Sequence, residues 1–532
     1  MHLGVDFGTT YTKIAFFDPQ GDRLEQFVYP PPPGEKPYVP TAVAYSTYQG
    51  QSIISIGEAA RHDGLNIPDT VFCENVKMLL PLKTPEEWQR HGWTTPRTPY
   101  EVTHDYFRHL LRESEGSFER RHGPITSMVV SVPELWQRQT NVGAETLRQI
   151  LVDDLQLPVD HLQSEPVCAA AYYIWHTRPD LTQPLHLLVC DMGGGTFDMV
   201  LCRVQRSAGG YKIQVLDFDG LGQSGLGSAG VAFDQRVVTT AYQNLGHTPD
   251  PHDVDFIEVV RAFEEVKLQK HNEASRLFAL CRSSADHARD LADTELYQWK
   301  RKYKVTIEQV RECFAPIRAG ITQVLDKLLA RAQARQWTVE RVALVGGFSQ
   351  FPLVEQTILD HPGLQAGHGQ RDSSLTLNSD ERFYAVARGA ALIAHGYIQI
   401  EEYYPHTLEL LVHRTRPTLL QVALPIVEAG RALAGRLDPY YAQQDGQKVV
   451  VTVPESAEAC GRLPVQLRLM GKGEPLILET PETEFPPPGR YHVGVVIDRS
   501  NLGTLVFDPI EDSARRRYPL GNISPSLLIE EA

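Results

Sequence analysis

No stretch of the 532-residue chain is apolar for long enough to cross a bilayer: the longest runs, such as residues 185–190 and 342–345, are strand-sized, against the roughly 20 residues a span needs. Cysteine is sparse and unpatterned. The seven (Cys73, Cys168, Cys190, Cys202, Cys281, Cys313, Cys460) include no CxxC pair, and most sit among apolar neighbours, which favours plain buried thiols over metal or redox sites. The start, Met-His-Leu-Gly-Val-Asp, has neither a basic opening nor an apolar stretch before a small-residue cleavage site, so no secretory signal is read and the cytoplasm is the expected location. A basic run is missing too. With 51 Lys plus Arg against 66 Asp plus Glu, the net charge of −15 would repel a nucleic-acid backbone, so neither nucleic acid nor membrane is expected as a partner. There is no internal repeat and no low-complexity tract.

What is present is the composition of a globular protein, 42% hydrophobic and 22% charged. The length suggests three or four compact units. Residues 1–398 alternate strand and helix signals, an α/β pattern with more than one sheet. Segments 3–6 and 13–18 read as the arms of a hairpin, and 129–132 and 187–191 as strands buried on both faces. Helices are expected over 141–155, 167–175, 306–335 and up to about 395, with a helical subdomain over 256–296. Beyond Gly396 the segments 407–412, 448–453, 464–469, 491–497 and 503–507 alternate apolar and polar residues between turn signals, which reads as an all-β domain. The Pro30 to Pro33 run is read as a rigid surface loop.

Three glycine-bearing turns carry the chemistry. Asp6-Phe7-Gly8-Thr9-Thr10 lies between two apolar strands; its glycine admits close backbone approach, its threonines add hydroxyls and its aspartate suits a hydrated Mg²⁺. A hairpin that needs glycine only for its dihedrals would look the same. Asp191-Met192-Gly193-Gly194-Gly195-Thr196-Phe197-Asp198 repeats the arrangement, and three consecutive glycines are an entropic load that a mere hairpin has no reason to carry. Facing each other, two such loops would grip a polyphosphate, with Asp6 and Asp191 sharing a metal ion and its waters. Val345-Gly346-Gly347-Phe348-Ser349-Gln350 is a third strand-to-turn element, suited to a base or ribose against bare backbone.

The order of these elements resembles the actin-like ATPase superfamily and, within it, the seventy-kilodalton heat-shock chaperone (DnaK-like) family. Further segments are similar to that family's motifs: Pro40-Thr41-Ala42-Val43-Ala44-Tyr45, Val130-Ser131-Val132-Pro133, Ser164-Glu165-Pro166-Val167-Cys168-Ala169-Ala170-Ala171, and Asn378-Ser379-Asp380-Glu381 followed by Ala387-Arg388-Gly389-Ala390-Ala391. The resemblance covers about 1–398. It implies a two-lobed ATPase built on duplicated ribonuclease-H-like cores (1–398), an interdomain linker (399–404) and a C-terminal β-sandwich (405–532). It also implies ATP or ADP with Mg²⁺ as ligands and slow hydrolysis to ADP and phosphate. Asp6 and Asp191 would hold the metal through water, with Gly8, Thr9, Thr10, Tyr11, Gly193, Gly194 and Gly195 around the phosphates. Lys77 falls at the catalytic lysine, Glu165 and Thr196 at positions that orient water and γ-phosphate, and Asp198 or Asp191 would assist proton removal. Without that context Lys77 would read as a solvated lysine. Glu264, Lys267 and His271, spaced to share one helical face, match the clamp on adenine and ribose, with Gly346, Gly347, Ser349, Gln350 and Asp380 nearby; a plain solvent face is the alternative account of that helix. Lys13 has the spacing of the phosphate lysine of actin-type relatives, although an outward strand lysine fits as well.

The sequence also departs from the family. His271 replaces a serine, Gln350 an arginine, and His161 the arginine of members that answer to J-domain proteins. The 398–404 segment keeps acidic and apolar alternation but not the linker motif. Pro486-Pro487-Pro488-Gly489-Arg490 and the strands after it are similar to the peptide-binding sandwich, and equally suit an unrelated one. No amphipathic segment follows the strands, so a helical lid is not expected. The expected function is an ATP-dependent chaperone-like protein whose β domain takes unfolded or extended peptide clients, with a J-domain protein and an exchange factor as further partners. The alternatives are an actin-like nucleotide-dependent scaffold with one dedicated partner and a small-molecule kinase, which lacks support from any sugar-site signature.

Overall fold

The computed structural model describes the chain except residues 19–22, 30–36, 49–50, 115, 135, 137–141, 208–209, 222–228, 251–252, 366–376, 402, 405, 415–419, 429–430, 433–438, 445, 456–463, 469–474, 480–485, 498–501, 511–514 and 523–532. The Pro30 to Pro33 run therefore lies outside the described residues. The chain forms two compact units rather than three or four: one comprises 1–135, 146–159 and 164–399, the other 136–145, 160–163 and 400–532. Almost all of the first 399 residues join one unit, which is why length alone overcounts. Among the described residues no helix is long and apolar enough to cross a membrane.

The first unit is built on two sheets with the same local plan. In one, His2–Phe7 pairs antiparallel with Tyr11–Asp18 and parallel with Ser127–Val132. In the other, Leu185–Met192 pairs antiparallel with Phe197–Ser207 and parallel with Arg341–Val345. The central strands are apolar on both faces: every residue of Ser127–Val132 is buried, as is all of Leu185–Met192 except His186. Such continuous burial requires helices on both sides of a sheet.

Those helices are well specified. Glu165–Thr177 starts at Ser164, whose hydroxyl accepts from the Val167 amide, with a proline in the first turn. Ser379–His395 opens with a capping box between Asn378 and Glu381 and closes on Gly396 at φ +84°. The two cross closely because Gly389 has no side chain: a Cβ there would stand 1.6 Å from the Cys168 carbonyl oxygen. Gly4 admits the same helix against the first strand, where a Cβ would lie 2.2 Å from the Ala387 carbonyl oxygen. The alanine-rich and glycine-alanine segments of these helices thus serve backbone proximity.

The helical region expected over 256–296 is three helices, Val254–Gln269, His271–Ser283 and Ala285–Asp290, and it ends earlier than the pattern suggested. Glu295–Trp299 is a strand paired with Tyr303–Thr306 around a turn in which Lys300 and Arg301 take positive φ. Leu296, Tyr297 and Trp299 are buried, and aromatic residues at this spacing favour a half-buried strand over another helical turn. Ile307–Ala334 follows as one 28-residue helix, capped by Thr306 and Gln309, with Val310, Phe314, Ile317, Ile321, Val324 and Leu328 inward.

Among the described residues the second unit contains two larger antiparallel sheets and two short two-stranded ones. One runs in the order Leu420–Val427, Thr407–Arg414, Pro464–Arg468, Pro475–Glu479. The other runs Tyr440–Tyr441, Gly489–Ile497, Leu502–Pro509, Arg516–Asn522, with Val450–Val453 also on Gly489–Ile497. Leu408, Leu410, Ile426 and Val427 of the first share one core with Val493, Val495, Ile497, Leu505 and Phe507 of the second.

The crossing at Gly389 is tight enough to test. Gly389→Ala should lower the melting temperature of the first unit by about 5 °C or more, the upper range of an overpacking cost, whereas Gly123→Ala, whose Cβ would meet no heavy atom within 4 Å but whose φ is +87°, should cost less. Differential scanning calorimetry of both variants would decide; equal losses would refute the close crossing.

Candidate functional site: a cleft between two glycine loops

A cleft of about 1200 Å³ opens in the first unit between the turns of the two hairpins. Its walls include Asp6, Gly8, Thr9, Thr10, Tyr11 and Lys13 from the first, and Asp191, Gly193, Gly194, Gly195 and Thr196 from the second. The loops touch. A Cβ on Gly194 would stand 2.7 Å from the Thr10 hydroxyl oxygen, and one on Gly195 would stand 2.6 Å from that of Thr9. The Thr41 hydroxyl ties the first loop by donating to the Gly8 carbonyl at 2.9 Å, and the Val231 amide ties the second by donating to the Gly194 carbonyl at 2.9 Å. Glycine is thus required by the approach of one loop to the other. The third turn is bound to the same point: Gly346 has φ +85°, and a Cβ there would fall 2.4 Å from an Asp191 carboxylate oxygen.

Strand register fixes the charges. Asp6 is directly opposite Lys13, and Asp191 directly opposite Asp198. In the first hairpin this yields a buried ion pair, Lys13 Nζ to Asp6 Oδ2 at 2.7 Å, with the Ser131 hydroxyl 3.4 Å from Asp6 Oδ1. In the second it sets two carboxylates side by side. Burial pushes Asp198 well above the usual carboxylate range, the Glu165 charge pushes it further, and the Thr196 hydroxyl pulls the other way without forming a hydrogen bond of standard geometry. Asp191 is likewise held well above by burial and then by the Glu165 and Asp6 charges. Lys77, on the turn Val76–Leu79 that follows Asn75 in the left-handed region, makes a buried ion pair with Glu165 at the start of its helix. Burial still raises Glu165 against the pull of Lys77. Four carboxylates therefore face two lysines. At the loop end, where these carboxylates outnumber the two lysines, a divalent cation held by one or two carboxylates together with phosphate oxygens would fit, which is how Mg²⁺ is commonly bound. Among the described residues no group of three or more His, Cys, Asp and Glu could hold a metal unaided.

The other end of the cleft differs from the sequence pattern. Glu264 and Lys267 share the helix Val254–Gln269, but His271 opens the next one, because the chain leaves helical geometry at Lys270 (φ −91°, ψ 11°). The expected single face is therefore broken, although all three line the cleft, as do Gly346, Gly347 and Gln350. Asp198, Ser349 and Asp380 do not. Asp198 is fully buried behind the loop, the Ser349 hydroxyl donates to the Gly346 carbonyl at 2.7 Å, and Asp380 is exposed in the first turn of its helix. The Gln350 amide donates to the Ser379 carbonyl at 3.0 Å.

Several wall residues escaped the sequence reading. Asp234 binds Lys267 through both oxygens at 2.6 Å, and the ammonium also lies 5.4 Å from the Phe348 ring centre and 5.9 Å from those of Phe233 and Phe263. Burial pushes the Asp234 carboxyl up to about 6 in spite of Lys267. Phe383 stands 4.3 Å from Lys13 Nζ, and Tyr11 packs on Tyr38 at 4.7 Å with Arg61 over its ring. Only the glycine-rich stretch before Asp234 was a local signal; the others are brought in by distant segments. The buried pair makes a clear expectation: Lys267→Met alone should destabilise by about 3 kcal/mol, and the double variant with Asp234→Leu by less, since a lone buried charge is worse than none. Urea denaturation of the two variants would check it, and equal losses would count against coupling.

A family model described as Hsp70 protein matches residues 98–399, more than half of the chain. The match takes in the second hairpin, Glu165, the helices over the cleft and the Gly346 turn, in one order. This chain belongs to the Hsp70 family, as an Hsp70-like member of the actin-like ATPases.

Proposed function

We propose that the chain is an ATP-binding and ATP-hydrolysing chaperone-like protein. The observation that carries this reading is the contact of two glycine loops across one cleft, each following a strand that ends in a buried aspartate. The two sheets of the first unit, each a hairpin with a parallel third strand, support duplicated ribonuclease-H-like cores over 1–398. Segment 399–404 is then the linker, and the shared core of the two later sheets supports a β-sandwich over 405–532.

In this reading the backbone amides and threonines of both loops embrace the phosphates. Lys77 lies against the γ-phosphate, and Glu165, held by Lys77 at a helix start, orients the attacking water together with Thr196. Asp191 accepts the proton, and Asp198, too deep to touch substrate, raises the proton affinity of Asp191 from the facing strand. Mg²⁺, when bound by Asp6 and Asp191 through water, supplies neutralisation of phosphate charge. Positioning and charge balance are the protein's share of phosphoryl transfer. The nucleotide state then governs binding of an extended client segment by the β unit.

Asp191→Asn and Lys77→Ala should each lower single-turnover ATP hydrolysis at least about tenfold while the circular dichroism spectrum is retained. Unchanged rates in both would sink the site assignment. The client role is decided separately, by titrating labelled unfolded peptides with ATP, with ADP and without nucleotide. Affinity that changes with nucleotide is expected; absent or nucleotide-independent binding would reject a chaperone and leave an actin-like scaffold with one dedicated partner.

A further inference from the structure

A second cavity, of about 1170 Å³, lies on the first unit and shares no lining residue with the cleft between the glycine loops. Its long wall is one face of the helix Ile307–Ala334, where Arg311, Arg318, Thr322, Leu329, Ala330 and Gln333 recur at helical spacing. From Arg311 to Gln333 that stripe runs roughly 33 Å, at about 1.5 Å per residue. Phe278, Val339 and Leu353, all buried, form the floor. The turn 360–363 closes part of the groove and is pinned to the helix. His361, itself buried, has Nε2 3.2 Å from an Asp326 carboxylate oxygen, and its Nδ1 accepts from the Gly363 amide at 3.2 Å. A Cβ on Gly363 would stand 2.9 Å from a Leu329 methyl carbon, so the turn lies directly on the helix and the groove is preformed.

The charges along the groove do not balance. Arg282 is bound to Asp360, Arg311 to Glu308 at 2.8 Å, and Asp326 to His361. Arg318, two turns beyond Arg311, forms no ion pair among the described residues; its guanidinium lies 5.9 Å from the Phe314 ring centre. Burial and then the Arg311 charge hold Arg318 below its ordinary value, against the pull of Glu308. We propose that this groove docks an extended peptide segment of a partner protein, acidic at one end and apolar along the rest. Its carboxylates pair with Arg318 and Arg311, its apolar side chains lie over Leu329 and the half-buried Trp337, and its backbone reaches the amides of Gln333 and Gln336. The guanidinium fork suits a carboxylate because it can donate two parallel hydrogen bonds. Length favours a peptide over a small anion: about ten extended residues at roughly 3.3 Å each match the stripe, and the cavity is larger than the roughly 300–1,000 Å³ of small-molecule pockets. The chain carries a net charge of −15, so an acidic segment is repelled by most of the surface and accepted where a guanidinium is left over. The inference does not depend on the nucleotide reading of the cleft.

The test is fluorescence anisotropy of the full chain with a labelled peptide of about ten residues, glutamates at one end followed by alternating leucine and glutamine, made in both sequence orders. One order should bind, and its counterpart with lysines for the glutamates should bind at least about tenfold more weakly. Arg318→Glu should weaken binding of the acidic peptide at least about tenfold, and Arg318→Lys much less. Arg289→Glu, which alters an exposed arginine outside the groove, should change it less than about twofold. Equal affinity for wild type and Arg318→Glu, the result expected if the β unit holds the peptide, would overturn the proposal. So would equal losses in Arg318→Glu and Arg289→Glu, which would leave overall charge as the cause, or no binding in either order. Dodecanoate that binds more tightly than the peptide and displaces it would also overturn it, by assigning the groove to a small amphiphilic anion. If Arg318→Glu loses its folded circular dichroism signal, Arg318→Gln decides instead: a loss of at least about threefold supports the docking role and a smaller one overturns it.

Discussion

The cleft depends on one steric constraint: threonine hydroxyls of the first loop stand where Cβ atoms of Gly194 and Gly195 would otherwise be. A side chain at either position would meet a threonine hydroxyl at 2.6 to 2.7 Å, so the threonine or the loop that carries it would have to shift. Gly346 extends the constraint to a third turn, because its missing side chain lets the Asp191 carboxylate lie against it. Three segments far apart in sequence are thereby drawn to one point, where the six glycines of the three turns, Gly8, Gly193, Gly194, Gly195, Gly346 and Gly347, line one cleft. Even Gly193, whose Cβ would meet nothing within 4 Å, fits this account, since open space beside a bare backbone is where a ligand oxygen can approach.

Charge in the cleft is arranged by burial as much as by pairing. Lys13 and Lys77 each take a carboxylate partner, Lys267 takes Asp234, and the carboxylates left over, Asp191 and Asp198, are both pushed upward, first by burial and then by the charges of neighbouring carboxylates. At the deep end the neutral form of these carboxylates is favoured until positive charge is brought to them. The end near Gln350 is different: Lys267 is already bound by Asp234 and three phenylalanine rings, and Gln350 is engaged with a backbone carbonyl. An ammonium so engaged has little left to offer a further partner, whereas Glu264 and His271 line the same end.

Much of this was legible in the chain because the decisive features are local. A strand that ends in aspartate and runs into a glycine turn is visible in a dozen residues, and the cap and small-residue segments of Glu165–Thr177 and Ser379–His395 follow from their own composition. What failed had non-local causes. The helix through Lys270 looked continuous because spacing alone cannot show a break without proline or glycine, and the strand Glu295–Trp299 is stabilised by its partner and its buried aromatic rings rather than by its own pattern. Phe383 and Arg61 were invisible for the same reason, each reaching the cleft from a segment with no motif of its own. The later sheets were readable from alternation, yet their shared core is a property of pairings that no single strand announces.

The seven-residue interval from Asp6 to Lys13 and from Asp191 to Asp198 shows how topology and chemistry divide the work. A short loop between antiparallel strands makes the residue seven positions on the direct neighbour of the aspartate, whatever it is. The backbone plan therefore fixes a place, and the side chain chosen for it fixes the sign. Lysine there turns the first aspartate into half of an ion pair; aspartate there leaves the second with a like charge across the ladder, an arrangement that burial makes costly without a cation from outside. One hairpin is complete as folded and the other is not, so the demand for an external positive charge falls on the second, beside the three glycines.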